Sequence, residues 1–141
     1  MKVVGKCLCG GIQFMAIPKA LHAHACHCDM CRRWSGVASL VVGLEAPPEI
    51  TLGKELLSVY KSSDWGERCF CKNCGANLFH NAPQFDYYGV SAGALDNEYE
   101  SKLTMDREIF IDKKPAFYSF EGDRPKLTEA EFNAMITGPS E

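Results

Sequence analysis

The sequence predicts a mainly β protein organised around thiols. Two observations carry the fold class. Apolar residues come in short runs broken by turn signals at Gly10-Gly11, Pro47-Pro48, Gly53-Lys54 and 93–96, the punctuation of a chain of short strands. Helical signals are confined to residues 28–34 and 128–137. A third observation gives the fold its purpose: eight cysteines fall into three groups, Cys7/Cys9, Cys26/Cys28/Cys31 and Cys69/Cys71/Cys74.

Residues 2–17 alternate loosely. Val3 and Cys7 lead to the Gly10-Gly11 turn, and Ile12, Phe14 and Ala16 return on one face, which predicts a β-hairpin with Cys7 and Cys9 near its turn. Pro18 is read as its end. Residues 20–26 read as a strand that runs into Cys26-His27-Cys28-Asp29-Met30-Cys31. Residues 28–34 suit one or two helical turns, closed by Gly36. Residues 37–44 form a β-branched-rich buried strand. Residues 50–52 and 56–61 read as strands on either side of Gly53-Lys54, and 62–66 as a loop. From 68 to 79 the pattern is strand, Cys71-Lys72-Asn73-Cys74-Gly75, strand, a zinc knuckle in outline. Residues 87–92 read as a strand and 108–111 as the last one. Thr128 and Glu131 form a capping box, and Phe132, Met135 and Ile136 supply an apolar stripe, which predicts a C-terminal helix over about 128–137. Residues 1–141 read as a single domain, with no linker and no whole-domain repeat.

Composition excludes several functions. Net charge is −3 with no basic block, which speaks against nucleic acid as a partner. Apolar runs are too short to span a bilayer, and the N-terminal residues have no secretory h-region, so a cytosolic protein is expected. In a reducing cytosol clustered cysteines point to metal more than to disulfides.

Three thiols within six residues, C-x-C-x-x-C, can meet at one point if the chain turns into a helix after Cys28. Zinc takes thiolates and four ligands, so Cys26, Cys28 and Cys31 leave one position open, as a working site does. Cys7/Cys9 needs a second pair. Cys71/Cys74 is its natural partner, because a C-x-x-C followed by Gly is a common knuckle half. Spacing also allows Cys7/Cys9 to join the 26–31 cluster, or Cys69 to replace Cys71 or cap the open site. A buried, inert role is favoured for Cys69. Arg32 and Arg33 suit either a substrate carboxylate or a solvated face. Trp34 reads as core, with a pocket wall as the alternative, and Phe85, Tyr87 and Tyr88 read as core and sheet surface. His27 lies between two thiols and in a strand points away from them, to a packing or surface role, with proton transfer as the alternative. His22, His24 and His80 read as structural or exposed, with a ligand role at the open position as the alternative. The 64–66 loop is a candidate cleft wall.

Taken in order, Cys7-x-Cys9-Gly10, Cys26-His27-Cys28-x-x-Cys31-Arg32-Arg33-x-Ser35-Gly36 and Arg68-x-Phe70-Cys71-x-x-Cys74-Gly75 resemble the glutathione-dependent formaldehyde-activating family, relatives of centromere protein V, over about residues 5–120. The resemblance implies a β-tent of short, twisted antiparallel sheets. It implies a structural zinc on Cys7, Cys9, Cys71 and Cys74 and a second zinc on Cys26, Cys28 and Cys31. It also implies carbon–sulfur lyase chemistry, in which glutathione or a similar small thiol adds to formaldehyde. The rival reading is a zinc-stapled binding module, which a fourth protein ligand at the second site would favour.

Overall fold

β1 (Val3–Lys6) and β2 (Gln13–Ala16) pair antiparallel, with Val3 opposite Ala16 and Lys6 opposite Gln13. This is the hairpin that the alternation predicts, and its loop carries Cys7 and Cys9. The computed structural model describes residues 1–137. β5 (Glu49–Leu52) adds to β2 and completes a three-stranded sheet in the order β1-β2-β5.

The other strands are β3 (Pro18–Cys26), β4 (Ser39–Leu44), β6 (Leu57–Lys61), β7 (Glu67–Cys71), β8 (Asn77–Ala82), β9 (Tyr87–Ser91), β10 (Thr104–Ile109) and β11 (Lys126–Leu127). They form one sheet in the order β11-β10-β3-β4-β9-β8-β7-β6. One face of this sheet packs on the small sheet. Val3, Ile12 and Phe14 meet Val42, Leu44, Leu78, Phe79 and Val90 in one buried cluster, and Phe14 stands edge-on to Phe79 with ring centroids 5.0 Å apart. Because successive strand residues point to opposite faces, the neighbours of these core residues (His24, Val41, Arg68, His80, Tyr87) face the other way and line a cleft.

Two helices flank that cleft. α1 (Asp29–Ser35) follows β3 directly and ends at Gly36, whose φ of 93° suits only glycine without strain. α2 (Glu129–Thr137) starts at the capping box: Glu131 N–H donates to Thr128 Oγ1 at 3.1 Å, and Thr128 N–H donates to Glu131 Oε1 at 2.8 Å. Phe132 of α2 meets Phe110 at 5.8 Å, and both pack on a small buried cluster of Cys26, Cys31 and Ile109. No helix among the described residues is long and apolar enough to cross a membrane.

The structure departs from the sequence reading in three places. Pro18 opens β3 rather than ending the hairpin, a place where the missing N–H costs no ladder bond. The strand expected over 108–111 is β10, which begins at Thr104 and ends at Ile109. β10 also lies parallel to β3 and to the two-residue β11, while the remaining pairings are antiparallel. The polar register of residues 104–107 gives no local strand signal, so only the pairing with β3 extends it.

Gly53, just after β5, packs closely against the β1–β2 loop. Its φ is 79°, and a Cβ there would lie 1.9 Å from the carbonyl oxygen of Gly11, in the loop that carries Cys9. Gly53→Ala is therefore expected to destabilise the fold by on the order of 3 kcal/mol, read from chemical denaturation. A change under about 0.5 kcal/mol, the level of ordinary surface substitutions, would show that the loop yields freely.

Candidate functional site

The β1–β2 loop and the β7–β8 turn approach each other through their cysteines. The sulfurs of Cys7, Cys9, Cys71 and Cys74 lie within 4.8 Å of one another, with Cys7 to Cys9 at 3.6 Å and Cys9 to Cys71 at 3.9 Å. A tetrahedron with metal–sulfur bonds of about 2.3 Å has edges of about 3.8 Å. Backbone N–H groups aim at the sulfurs, from Ile12 to Cys7 at 3.2 Å, from Gly11 to Cys9 at 3.4 Å and from Cys74 to Cys71 at 3.5 Å. Asn73 Nδ2 donates to Cys9 at 3.3 Å. Such donors favour thiolate. The backbone N–H of Ala76 leads the effects that draw the Cys74 thiol down to about 6. The side chain of Asn73, first among several causes, also lowers the Cys9 thiol. Converging thiolates repel unless a cation lies among them, so the donor set fits a divalent, thiophilic ion.

The second group sits where β3 becomes α1. Cys26 ends the strand, Cys28 caps the helix by accepting the Cys31 N–H at 3.4 Å, and Cys31 lies in its first turn. Their three sulfurs also lie within 4.8 Å of one another. Hydrogen bonds from Cys26 and then Cys28 hold the Cys31 thiol well below its ordinary range, helped by the charge of Arg68. The counterpart is Cys26, pushed well above that range first by its hydrogen bond with Cys28. On its own the group thus favours one thiolate, at Cys31, and resists a second and third, so holding all three sulfurs as thiolates calls for a cation among them. Among the described residues no fourth Cys, His, Asp or Glu joins the group at that distance.

These three sulfurs open into the cleft, a cavity of about 820 Å³ between the free face of the large sheet and α2. Trp65 and Phe85 stand edge-to-face at 6.3 Å among its walls. His24 and His80 also line it. Burial holds each imidazole down to about 4, with Arg107 acting next on His24 and Arg68 next on His80, so both are neutral at pH 7.

The family of glutathione-dependent formaldehyde-activating enzymes matches this sequence over residues 2–113, a span that holds all eight cysteines. The chain belongs to this family. A relative named as an uncharacterized lyase, from Schizosaccharomyces pombe, is 31% identical over 136 residues, covering 94% of this chain and 95% of its own. A Podospora anserina protein named for the same family is 28% identical over 90 residues, and the match spans 42% of its length. A Rhodobacter sphaeroides protein of known crystal structure shares the fold, with a TM-score of 0.54 at 24% identity over 74% of this chain and all of that one.

Within this family member the other sequence candidates take definite places. Cys69 is in neither sulfur group. It is buried in the main core, where burial pushes its thiol up to about 11. Arg32 is spent on its own helix, its Nε donating to the His27 carbonyl at 3.0 Å and its Nη2 to Asp29 at 2.6 Å. Arg33 is exposed. His22 Nδ1 is paired with Thr104 Oγ1 at 2.7 Å. Phe85 and Tyr87, read as core and sheet surface, are cleft walls, and Trp65 of the 64–66 loop is one too. Trp34 carries the Arg68 guanidinium over its ring at 5.1 Å, and its carbonyl accepts from Asn77 at 2.9 Å.

His27 points away from the sulfurs, yet it is fully buried rather than at the surface. Its Nε2 meets Glu108 Oε1 at 2.8 Å and its Nδ1 meets the Tyr118 hydroxyl at 2.7 Å. Glu108 Oε2 accepts from Arg124 Nη1 at 2.7 Å. This chain of partners ties the loop after β10 to the residue between Cys26 and Cys28, and sequence reading missed Glu108, Tyr118 and Arg124. The available signal was an acidic residue opening the apolar run 108–111.

Glu108→Ala is expected to cost about 3–5 kcal/mol, because it strands buried partners without their carboxylate. Burial opposes the charge on Glu108, but hydrogen bonds from His27 and Arg124 outweigh it and lower the carboxyl from its ordinary 4.5. The unfolded state therefore binds the proton more readily. The stabilisation is full above that pH and is lost as pH falls through the lower folded value. Urea midpoints of wild type and variant measure this, and a loss under about 1 kcal/mol at pH 7 would show the network to be idle.

Proposed function

We propose that the protein is a zinc-dependent carbon–sulfur lyase acting on a small thiol adduct, of the kind that joins glutathione and formaldehyde as S-(hydroxymethyl)glutathione. The observation that carries this reading is the set of three sulfurs, without a fourth protein ligand, at the floor of a large cleft. A binding module would be expected to close its second shell. Family membership and the lyase-named relative support the same class of chemistry.

Cys7, Cys9, Cys71 and Cys74 would hold a structural zinc that staples the β1–β2 loop to the β7–β8 turn. Cys26, Cys28 and Cys31 would hold the second. When bound there, zinc would supply a positive centre that favours the thiolate of a substrate thiol at neutral pH. The chain's own part is to position and to shield. Cys28, as the helix cap, fixes the turn that brings Cys31 back to Cys26. Arg68 offsets the excess negative charge of three thiolates. Trp65, Phe85 and Phe132 limit water in the cleft, and the walls bring thiol and aldehyde together, which alone accounts for part of a rate. In the reaction a sulfur–carbon bond forms and the thiol hydrogen finishes on the former carbonyl oxygen, with no change of oxidation state. None of the eight cysteines is in a disulfide, which fits work in a reducing, cytosolic compartment.

Exchange spectroscopy on ¹³C-formaldehyde with glutathione tests the proposal. Protein carrying two zinc ions should speed adduct exchange, and protein with the second site empty should not. Equal exchange rates with and without protein would remove the lyase reading.

A further inference from the structure

We infer that the cleft takes a thiol–aldehyde adduct with an apolar body of aromatic size, whose oxygen is held by Arg68. The inference rests on the proposed function and names its substrate class. Formaldehyde has one carbon, and glutathione brings two carboxylates and an ammonium group. The cleft of about 820 Å³ is larger than a one-carbon aldehyde needs, and much of its lining is apolar. Five aromatic rings line it: Trp65, Phe85, Tyr87, Phe110 and Phe132. Its charges are largely spent, since Asp29 holds Arg32 at 2.6 Å and Lys113 lies 3.6 Å from Glu129. Among the described residues, Arg68 is the lining cation without a carboxylate partner.

Arg68 is 3% exposed. Its Nη2 donates to Cys31 Sγ at 3.6 Å, and its Nε and Nη1 have no partner. A guanidinium buried with unused donors is costly, and an acceptor oxygen removes that cost. Position selects the oxygen. Beside Cys31, Arg68 is next to any sulfur that joins the triad, and the oxygen of an S–C–O unit is two bonds from that sulfur. The carboxylates of glutathione are many bonds away. His80 stands opposite Arg68 in the β7–β8 register, and its Nε2 is likewise buried and without a partner. The thiolate lone pair makes the S–C bond, and the carbonyl π pair moves to oxygen under the N–H groups of Arg68. The proton that the thiol released then returns to that oxygen.

The test uses the zinc-loaded full chain with phenylacetate and acetate as probes, by calorimetry. Phenylacetate should bind at least tenfold more tightly than acetate. Arg68→Gln should weaken both at least tenfold, and Trp65→Ala should weaken phenylacetate alone. Arg68→Lys, which keeps the charge, should fall between wild type and Arg68→Gln if the latter loses zinc. Equal affinity for the two probes overturns the apolar body, and binding that survives Arg68→Gln overturns the anchor. In turnover, phenylacetaldehyde with glutathione, or phenylmethanethiol with formaldehyde, should exceed glutathione with formaldehyde, and the faster arm identifies which partner carries the apolar body. Both arms slower overturns the substrate class. No turnover with any pair would sink the lyase reading, while the probe affinities still decide the anchor.

Discussion

Cys71→Ser is expected to leave the chain unfolded. Cys71 is completely buried and shares its group with Cys7, Cys9 and Cys74, which come from loops more than sixty residues apart in sequence. A structural zinc held by four thiolates contributes about 10–16 kcal/mol in small zinc domains, as much as the whole stability of an ordinary domain. With the proposed zinc as the tie between the two loops, losing one of its ligands should remove cooperative melting. Cys69→Ser is the control, two residues away on the same strand. Cys69 is buried but lies outside both sulfur groups. Its replacement should cost only about 1–3 kcal/mol, the penalty for a buried hydroxyl, and leave metal content unchanged. Circular dichroism melts with metal analysis separate the two variants. Equal behaviour would show that the four-sulfur group does not act as a unit.

Cys31→Ser should have the opposite profile: the fold kept, the activity lost. Cys31 belongs to the small cluster under α2, apart from the main core. Serine there withdraws one of only three sulfurs, so bound zinc should fall from two equivalents to one. The transition state would lose several kcal/mol of charge stabilisation, a drop of ~10³-fold in rate. Thermal midpoint and adduct exchange on the same sample check both halves. A variant that keeps one zinc and full activity would place the chemistry elsewhere.

The parts of this architecture legible in the sequence are those set by local spacing. The Gly10-Gly11 turn, the helix after Cys28 and the Thr128 capping box each follow from residues within one turn of one another. C-x-C and C-x-x-C spacings restrict where sulfur can point, so they favoured these two groups, but spacing alone left other partners open for Cys7/Cys9, and the family resemblance narrowed the choice. What was hidden depends on distant partners. His27 and Glu108 are 81 residues apart, and nothing near His27 announces a carboxylate. β10 is polar at its start and becomes a strand only by lying beside β3. Arg68 appeared as one letter of a motif. Its significance comes from the fold, which buries it next to Cys31 without an acid to meet it.

The most direct test of the account is zinc X-ray absorption on protein loaded with two equivalents, with and without glutathione. One filled and one open thiolate shell average about 3.5 sulfurs per zinc, rising to about 4 when a substrate thiol joins the open one. A count of four before any thiol is added, or one that glutathione leaves unchanged, would contradict it.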